Sequence, residues 1–118
     1  MSTTLHTERN RSSFEARVVR EGVAAAEADL AIQLQGEIDG RAEATLQDAY
    51  TEAAQRDPRR LLLDFAEVDY INSTGIALIV GLLARARKER REIVARGLSA
   101  HYREIFEITR LADFMSIV

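Results

Sequence analysis

The residue types best placed to do chemistry lie in one short segment, residues 69–75, with the sequence DYINSTG. Two neighbouring hydroxyls, Ser73 and Thr74, stand there between a strand-like run at 61–65 and an apolar, helix-like run at 76–80. A serine at such a junction lies among unpaired backbone N–H groups and the positive end of the helix dipole, where a phosphate is electrostatically favoured. The segment therefore predicts a site for a reversible negative charge.

The same position also allows a purely structural role for Ser73. Serine and threonine are common N-cap residues, because their side-chain oxygens accept hydrogen bonds from the first helical turn. Caps far outnumber modification sites at helix starts, so position alone favours a cap. The functional interpretation depends on the rest of the chain.

The elements that must position this segment follow from the spacing of apolar residues. In chain order they are strands at 14–18 and 30–34, a helix at 42–53, a strand at 60–65, a helix from about 74 to 92, a strand at 93–95, a helix capped by Ser99, and an edge strand at 114–118. Residues 21–29 fit either a long hairpin or a frayed turn. Residues 60–65 lack alternation, as a central strand buried on both faces does. Alternating strands and helices predict an α/β fold with parallel strand pairs.

Composition narrows the class of protein. The chain has 118 residues, enough for one domain with a real core, and 47% are hydrophobic and 30% charged. Its net charge of −3 argues against a nucleic-acid module, and it has no cysteine for disulfides or thiolate chemistry. No apolar run approaches the roughly 18 residues that span a bilayer, so a cytoplasmic protein without membrane insertion is expected. The basic cluster at 85–91 is better explained by the helix C-terminus than by a nucleic-acid patch.

Catalytic and cofactor motifs are missing from the sequence. It has no glycine-rich phosphate loop, and its two histidines, His6 and His101, are not spaced as metal ligands. Ser73 and His101 could be written into a triad with an aspartate, but the serine lacks the G-x-S-x-G elbow. We therefore expect no cofactor, no metal and no catalysis, and predict a binding module that is modified by enzymes.

Three blocks of sequence resemble one known family. They are LQGEID at 34–39, LLDF at 62–65 running into NSTG at 72–75, and SAHYREIFEIT at 99–109 followed by Leu111. In this order they are similar to the STAS domain of bacterial anti-sigma factor antagonists, and the resemblance covers residues 14–118. It implies a mixed sheet of four to five strands with helices packed mainly on one face. Residues 1–13 are expected to form a flexible tail.

The resemblance also implies a function. In that family the serine before [Ser/Thr]-Gly, here Ser73, is phosphorylated by an anti-sigma factor that is also a serine kinase. The unphosphorylated domain docks on that kinase and releases a sigma factor, and a protein serine phosphatase resets the switch. ATP belongs to the partner. The domain itself is expected to be a monomer or weak dimer.

The resemblance assigns partner contacts to Glu37, Asp39, Asn72, Thr74 and Gly75. Asp39 matches the family acid that lies near the phosphorylation loop, although it can equally cap a helix beginning near residue 40. The residue before the phosphoacceptor is usually aspartate, and this chain has Asn72 instead. That departure favours an alternative, in which the domain is an accessory subunit of a membrane transporter or scaffold complex without phospho-switching.

Helix periodicity adds one more candidate contact, Leu78. A core stripe of Ile76, Ile79, Val80 and Leu83 leaves Leu78 and Leu82 to one side of the helix. Two leucines one turn apart beside the phosphoacceptor predict a docking patch. The alternative is that the first helix covers them.

Overall fold

The computed structural model describes residues 13–20 and 28–118. Its sheet has five strands in the order of the chain: β1 (Glu15–Val19), β2 (Leu30–Ile38), β3 (Arg60–Ile71), β4 (Glu92–Arg96) and β5 (Ser116–Ile117). Only β1 and β2 pair antiparallel; the other neighbours are parallel. The predicted mixed α/β sheet is confirmed. The expected tail, apart from Ser13, and the ambiguous segment at 21–27 lie outside the described residues.

Three helices connect the parallel strands: α1 (Glu43–Ala54), α2 (Ser73–Lys88) and α3 (Ala100–Ile108). Short 3₁₀ turns at Gly40–Ala42 and Leu111–Phe114 precede α1 and β5. The buried residues of all three helices join one core cluster with alternate residues of the strands. Within it the rings of Phe65 and Phe106 meet edge to face, with centroids 5.9 Å apart. These helices therefore cover one face of the sheet, as predicted.

The central strand is buried on both faces. Leu61 and Leu63 belong to the helix-side core, whereas Leu62 lies in a second, smaller cluster with Ala31 and Val94. Successive side chains of a strand point to opposite faces, so this second cluster lies on the other side of the sheet. Three successive leucines at 61–63 fill both faces, and this explains the absence of alternation in the sequence.

The strand that leads to Ser73 is longer than predicted. β3 continues from Phe65 to Ile71, because it stays paired with β2 as far as Ile38 opposite Ile71. Most residues of this extension are exposed, and hydrophobic periodicity does not register an exposed strand. The consequence is that residues 72–75, with the two hydroxyls at 73 and 74, follow directly on the edge of the sheet.

The second helix is shorter at its C-terminus than predicted. It ends at Lys88, and not near residue 92, because Arg90 adopts a left-handed φ of 63°. The N–H of Arg91 donates to the carbonyl of Ala86 at 2.8 Å and that of Arg90 to Arg87 at 3.0 Å, which is the Schellman pattern that closes a helix. Glu92 is then free to begin β4.

Candidate functional site

Two loops meet at the carboxyl edge of the sheet. β2 ends at Ile38 and β3 at Ile71, and since the strands are parallel and in register their following residues emerge side by side. The backbone N–H of Asn72 donates to the carbonyl oxygen of Ile38 at 3.2 Å and ties the loops together. Asp39, which follows Ile38, is therefore placed near Asn72 and Ser73, as the family resemblance implied.

The cap of α2 is Asn72, so the interpretation of Ser73 as the cap is wrong. The Asn72 side-chain oxygen accepts from the N–H of Gly75 at 2.8 Å, and its backbone is extended, as N-cap geometry requires. Ser73 is the first helical residue and is exposed. Within the described part of the chain, its hydroxyl has no hydrogen-bond partner. The hydroxyl beside the positive helix end is therefore not needed to hold the helix.

Gly75 brings the start of α2 against the end of β2. A Cβ at this position would lie 1.9 Å from the carbonyl oxygen of Ile38, which is far inside contact distance. Thr74 occupies the neighbouring space, with its methyl 3.5 Å from where a Cβ on Gly40 would stand. Only glycine at residue 75 permits this approach, and this fixes where the neighbouring Ser73 stands at the edge.

The acid at residue 39 is both a cap and half of an ion pair. One carboxylate oxygen of Asp39 accepts from the N–H of Arg41 at 2.9 Å and so caps the 3₁₀ turn, which confirms the capping role. The guanidinium of Arg41 donates to the other oxygen at 2.7 Å and lies 3.6 Å from the carboxylate of Glu37. Thr74 and Gly75, in the first turn of α2, thus stand beside two acids bound by one arginine.

Sequence reasoning missed Arg41, although the alternation of Glu37, Asp39 and Arg41 was a usable signal. Hydrogen bonds from the Arg41 guanidinium, and then from its backbone N–H, lower the pKa of Asp39. We expect Arg41→Gln to raise this pKa, because the side-chain bonds are lost and the backbone bond stays. NMR titration of the carboxyl measures it.

The same titration has an internal control. The pKa of Asp29 is lowered by the backbone N–H groups of Arg59 and Arg60, so it should not move in the variant. Because the pKa of Asp39 is lower in the folded state than in the unfolded state, its ionised carboxylate stabilises the fold above about pH 4. This contribution is lost as the pH falls through the folded-state pKa. An unchanged pKa of Asp39 in Arg41→Gln would contradict the assignment.

A second missed residue, Tyr102, holds the end of β3 from the other side. The backbone N–H of Ile71 donates to its hydroxyl oxygen at 2.9 Å, and the hydroxyl lies 3.4 Å from the Ile71 carbonyl. β4 is paired with β3 only as far as Arg96 opposite Asp64, so at Ile71 the side of β3 that faces away from β2 is not paired with β4. Ser99 caps α3 as predicted, by accepting from the N–H of Tyr102 at 3.2 Å.

The predicted leucine patch is only half correct. Leu82 is 7% exposed and belongs to the core, so the expectation that it is uncovered is wrong. Leu78 is half-buried and lines a hollow of about 280 Å³ between α1 and α2, together with Leu46 and Tyr50. The alternative, that the first helix covers these leucines, holds fully for Leu82 and partly for Leu78.

The half-buried position of Leu78 predicts an intermediate cost of truncation. We expect Leu78→Ala to lower the free energy of unfolding by about 1–2 kcal/mol, below the roughly 2–5 kcal/mol of a fully buried leucine, because part of the side chain already contacts water. Urea denaturation measures it, with Leu82→Ala as the matched core control. Equal losses in the two variants would place Leu78 in the core.

The described residues contain no group of three histidine or acidic side chains that could hold a metal ion. His101 is exposed on α3, where its ring meets that of Tyr102 with centroids 4.8 Å apart. Asp64, a half-buried acid on β3, is paired with Arg96 at 3.1 Å. Among the same residues, no helix is long and apolar enough to cross a membrane.

Comparison with known proteins agrees with this geometry. The family described as "Mlab, STAS domain" matches residues 21–118. The anti-sigma-B factor antagonist of Listeria monocytogenes is 34% identical over 82 residues, which is 70% of this chain and 72% of that protein. The antagonist of the same name from Staphylococcus aureus is 30% identical over 86 residues, 73% of this chain and 80% of that one.

Solved structures share the fold. An anti-sigma factor antagonist from Mycobacterium paratuberculosis superposes with a TM-score of 0.65 at 23% identity, covering 89% of this chain and 85% of that one. The antagonist SpoIIAA in its unphosphorylated form gives 0.62 at 17% identity, covering 90% and 87%. The sheet order, the edge site and the family match define a STAS domain. The chain belongs to the STAS family of anti-sigma factor antagonists, as its three sequence blocks predicted.

Proposed function

We propose that this chain is an anti-sigma factor antagonist controlled by phosphorylation of Ser73. In its unphosphorylated form it docks on an anti-sigma factor that is also a serine kinase, and a sigma factor is released. The kinase binds ATP and transfers phosphate to Ser73, and docking is lost. A protein serine phosphatase restores the hydroxyl. The chain acts in the cytoplasm as substrate and ligand, without a cofactor or catalysis of its own.

One observation carries this proposal: the hydroxyl of Ser73 is exposed at the first position of a sixteen-residue helix, while Asn72 caps that helix. Phosphorylation of a capping serine would remove the hydrogen bond that holds the helix start. Here the phosphate breaks no hydrogen bond among the described residues, because Asn72 makes the capping bond. The positive end of the helix dipole also favours its charge. At such a position both states of the switch can keep the same fold, and only the docking surface changes its charge.

The partner surface that we propose surrounds this hydroxyl. Glu37, Asp39 and Asn72 present polar groups at the edge, and Thr74 presents an exposed hydroxyl beside Ser73. Gly75 is buried, so its contribution is to position the start of α2 against β2. Leu78 offers an apolar contact one turn further along α2.

Asn72 gives a prediction that separates capping from kinase recognition. Aspartate and serine cap helices as well as asparagine does, so Asn72→Asp and Asn72→Ser should change stability by less than about 0.5 kcal/mol, whereas Asn72→Ala should cost about 0.5–2 kcal/mol. If the family aspartate serves kinase recognition, only Asn72→Asp accelerates phosphorylation. Thermal denaturation and initial phosphorylation rates measure the two effects. Equal acceleration by Asn72→Ser would contradict a role for the charge.

The proposed function is tested by incubating the chain with an anti-sigma factor serine kinase and ATP, then mapping the phosphate by mass spectrometry. We expect one phosphate on Ser73, none in Ser73→Ala, and normal modification in Thr74→Ala. Modification elsewhere would overturn the assignment of Ser73. Absence of any modification, with transporter genes as neighbours, would favour the accessory-subunit alternative that Asn72 suggests.

A further inference from the structure

The solvent side of α2 is unusually apolar. The residues that face outward after Thr74 are Ala77, Val80, Gly81 and Ala84, and the first charged residue of the helix is Arg85. Val80 was predicted to lie in the core stripe, and that prediction is wrong, since the residue is 46% exposed. A helix packed on a sheet normally carries polar residues on its outer side. Packing in the core therefore does not explain why the solvent side of α2 is apolar.

This side leads into a groove between α2 and the C-terminal segment. Two hollows of about 400 and 420 Å³ share Leu83, Arg87 and Phe114, so they adjoin. The floor is apolar and buried, as Leu83, Leu111 and Met115 are each at most 9% exposed. Val80 and Phe114, the second of which is 51% exposed, form its rim. An apolar groove of this kind is what an amphipathic helix of a partner binds in helix-in-groove recognition.

The unmatched charge along this groove is positive. The guanidinium of Arg87 lies over the Phe114 ring at 5.3 Å, and neither Arg87 nor Arg90 takes part in an ion pair within residues 13–20 and 28–118. The acids in the lining are already paired: Glu92 with Arg60 at 3.3 Å and Asp113 with Arg110 at 2.7 Å. On a chain with a net charge of −3, this concentration of free cations is local.

We propose that this groove docks an acidic amphipathic helix of a partner protein. The apolar floor fits leucine-type anchors spaced i, i+3, i+4 and i+7, and the free arginines fit carboxylates on the flank of the same helix. The groove is concave, which suits an inserted segment better than a bilayer surface. From Val80 to Arg87 it follows α2 for about 10 Å at 1.5 Å per residue, about two helical turns, which is the span of anchors from i to i+7.

This docking surface goes beyond the proposed function. Arg87 stands about 20 Å along α2 from Ser73 at 1.5 Å per residue, which is twice the roughly 8–10 Å over which salt screens an exposed charge. A phosphate on Ser73 therefore has little electrostatic effect on Arg87, and the charged contacts of a partner bound in the groove can persist in both states of the switch.

The test is an NMR titration of the isotope-labelled full chain with two synthetic peptides of about fifteen residues, long enough for three helical turns and their ends. Both carry leucines at i, i+3, i+4 and i+7, and they differ only in glutamate or lysine on the flanks. We expect the glutamate peptide to shift the signals of Val80, Thr109 and Phe114, and to bind at least about tenfold more tightly than the lysine peptide. No shift with either peptide, or equal binding of both, would overturn the proposal.

Matched variants locate the binding site. Phe114→Ala and Arg87→Glu should each weaken the glutamate peptide about tenfold or more. Tyr70→Ala, which removes an aromatic ring of similar exposure, 53%, elsewhere on the surface, and Arg17→Glu on β1 should leave its binding unchanged. Equal loss in the controls would overturn the site. Shifts of the same signals with vesicles of anionic lipid, but not with the glutamate peptide, would assign the groove to a membrane instead.

Discussion

Phosphorylation of Ser73 should weaken binding to the anti-sigma factor kinase by roughly 30-fold to several thousand-fold, because an unpaired charge buried at an interface costs about 2–5 kcal/mol. The phosphate adds about −1.5 to −2 charge units directly on the exposed start of α2. It would stand at the edge that already carries Glu37 and Asp39, whose positive partner, Arg41, is engaged by both. Docking would have to remove water from this charge.

Folding stability should hardly change in the same experiment. The modified oxygen makes no hydrogen bond within the described residues, and the helix N-terminus attracts a negative charge by about 0.3–1 kcal/mol. Isothermal titration of both forms with the kinase, beside their thermal denaturation curves, separates the two effects. Ser73→Ala provides the control, since it should bind like the unphosphorylated form in the presence of ATP. Loss of binding accompanied by unfolding would mean that the phosphate melts the helix, against the proposed mechanism.

The fold was predictable because local patterns and the family resemblance agree. Leu30, Ile32 and Leu34 alternate as strand residues do, and all three belong to the helix-side core. The three successive leucines at 61–63 predicted the central strand, which two clusters bury from opposite sides. The candidate segment at 72–75 could be singled out for the same reason. A hydroxyl pair between a strand and a helix is visible without knowledge of long-range contacts.

Errors arose where the outcome depends on which neighbour arrives from elsewhere in the chain. Helical phase ranked Val80 as core and Leu82 as exposed, but α1 packs against the Leu82 side, through Leu46 and Tyr50, and leaves Val80 open. Periodicity gives the width of an apolar stripe and not the position of the second helix.

Roles that depend on one hydrogen bond were also difficult to predict. Asn72 and Ser73 are both good capping residues, and a shift of one residue in the helix start decides which of them caps. Tyr102 reaches Ile71 across 31 positions of sequence, and no local signal announces that contact. Arg41, by contrast, lies two residues from Asp39 and could have been found from charge spacing alone.

Gly75→Ala should destabilise the domain by about 3 kcal/mol or more, at the upper end of the cost of overpacking. The added Cβ would lie 1.9 Å from the carbonyl oxygen of Ile38 and 2.8 Å from its carbonyl carbon. These are backbone atoms of β2 and cannot rotate away as a side chain does, so the start of α2 must move off the strand. That movement would also stretch the Asn72 cap and the bond from its N–H to Ile38.

Gly81→Ala is the matched control for this substitution. Gly81 lies in the same helix with nothing within 4 Å of its Cβ position, so alanine there should stabilise the fold by about 0.5–1 kcal/mol through helix propensity. Urea denaturation of the two variants should therefore give effects of opposite sign. Because Gly75 lies in the same helical turn as Ser73, its displacement should move the Ser73 hydroxyl. Gly75→Ala should therefore also slow phosphorylation at temperatures where the variant remains folded. A small loss of stability with normal phosphorylation would show that β2 yields to the added methyl, and that the close approach of α2 to Ile38 does not position Ser73.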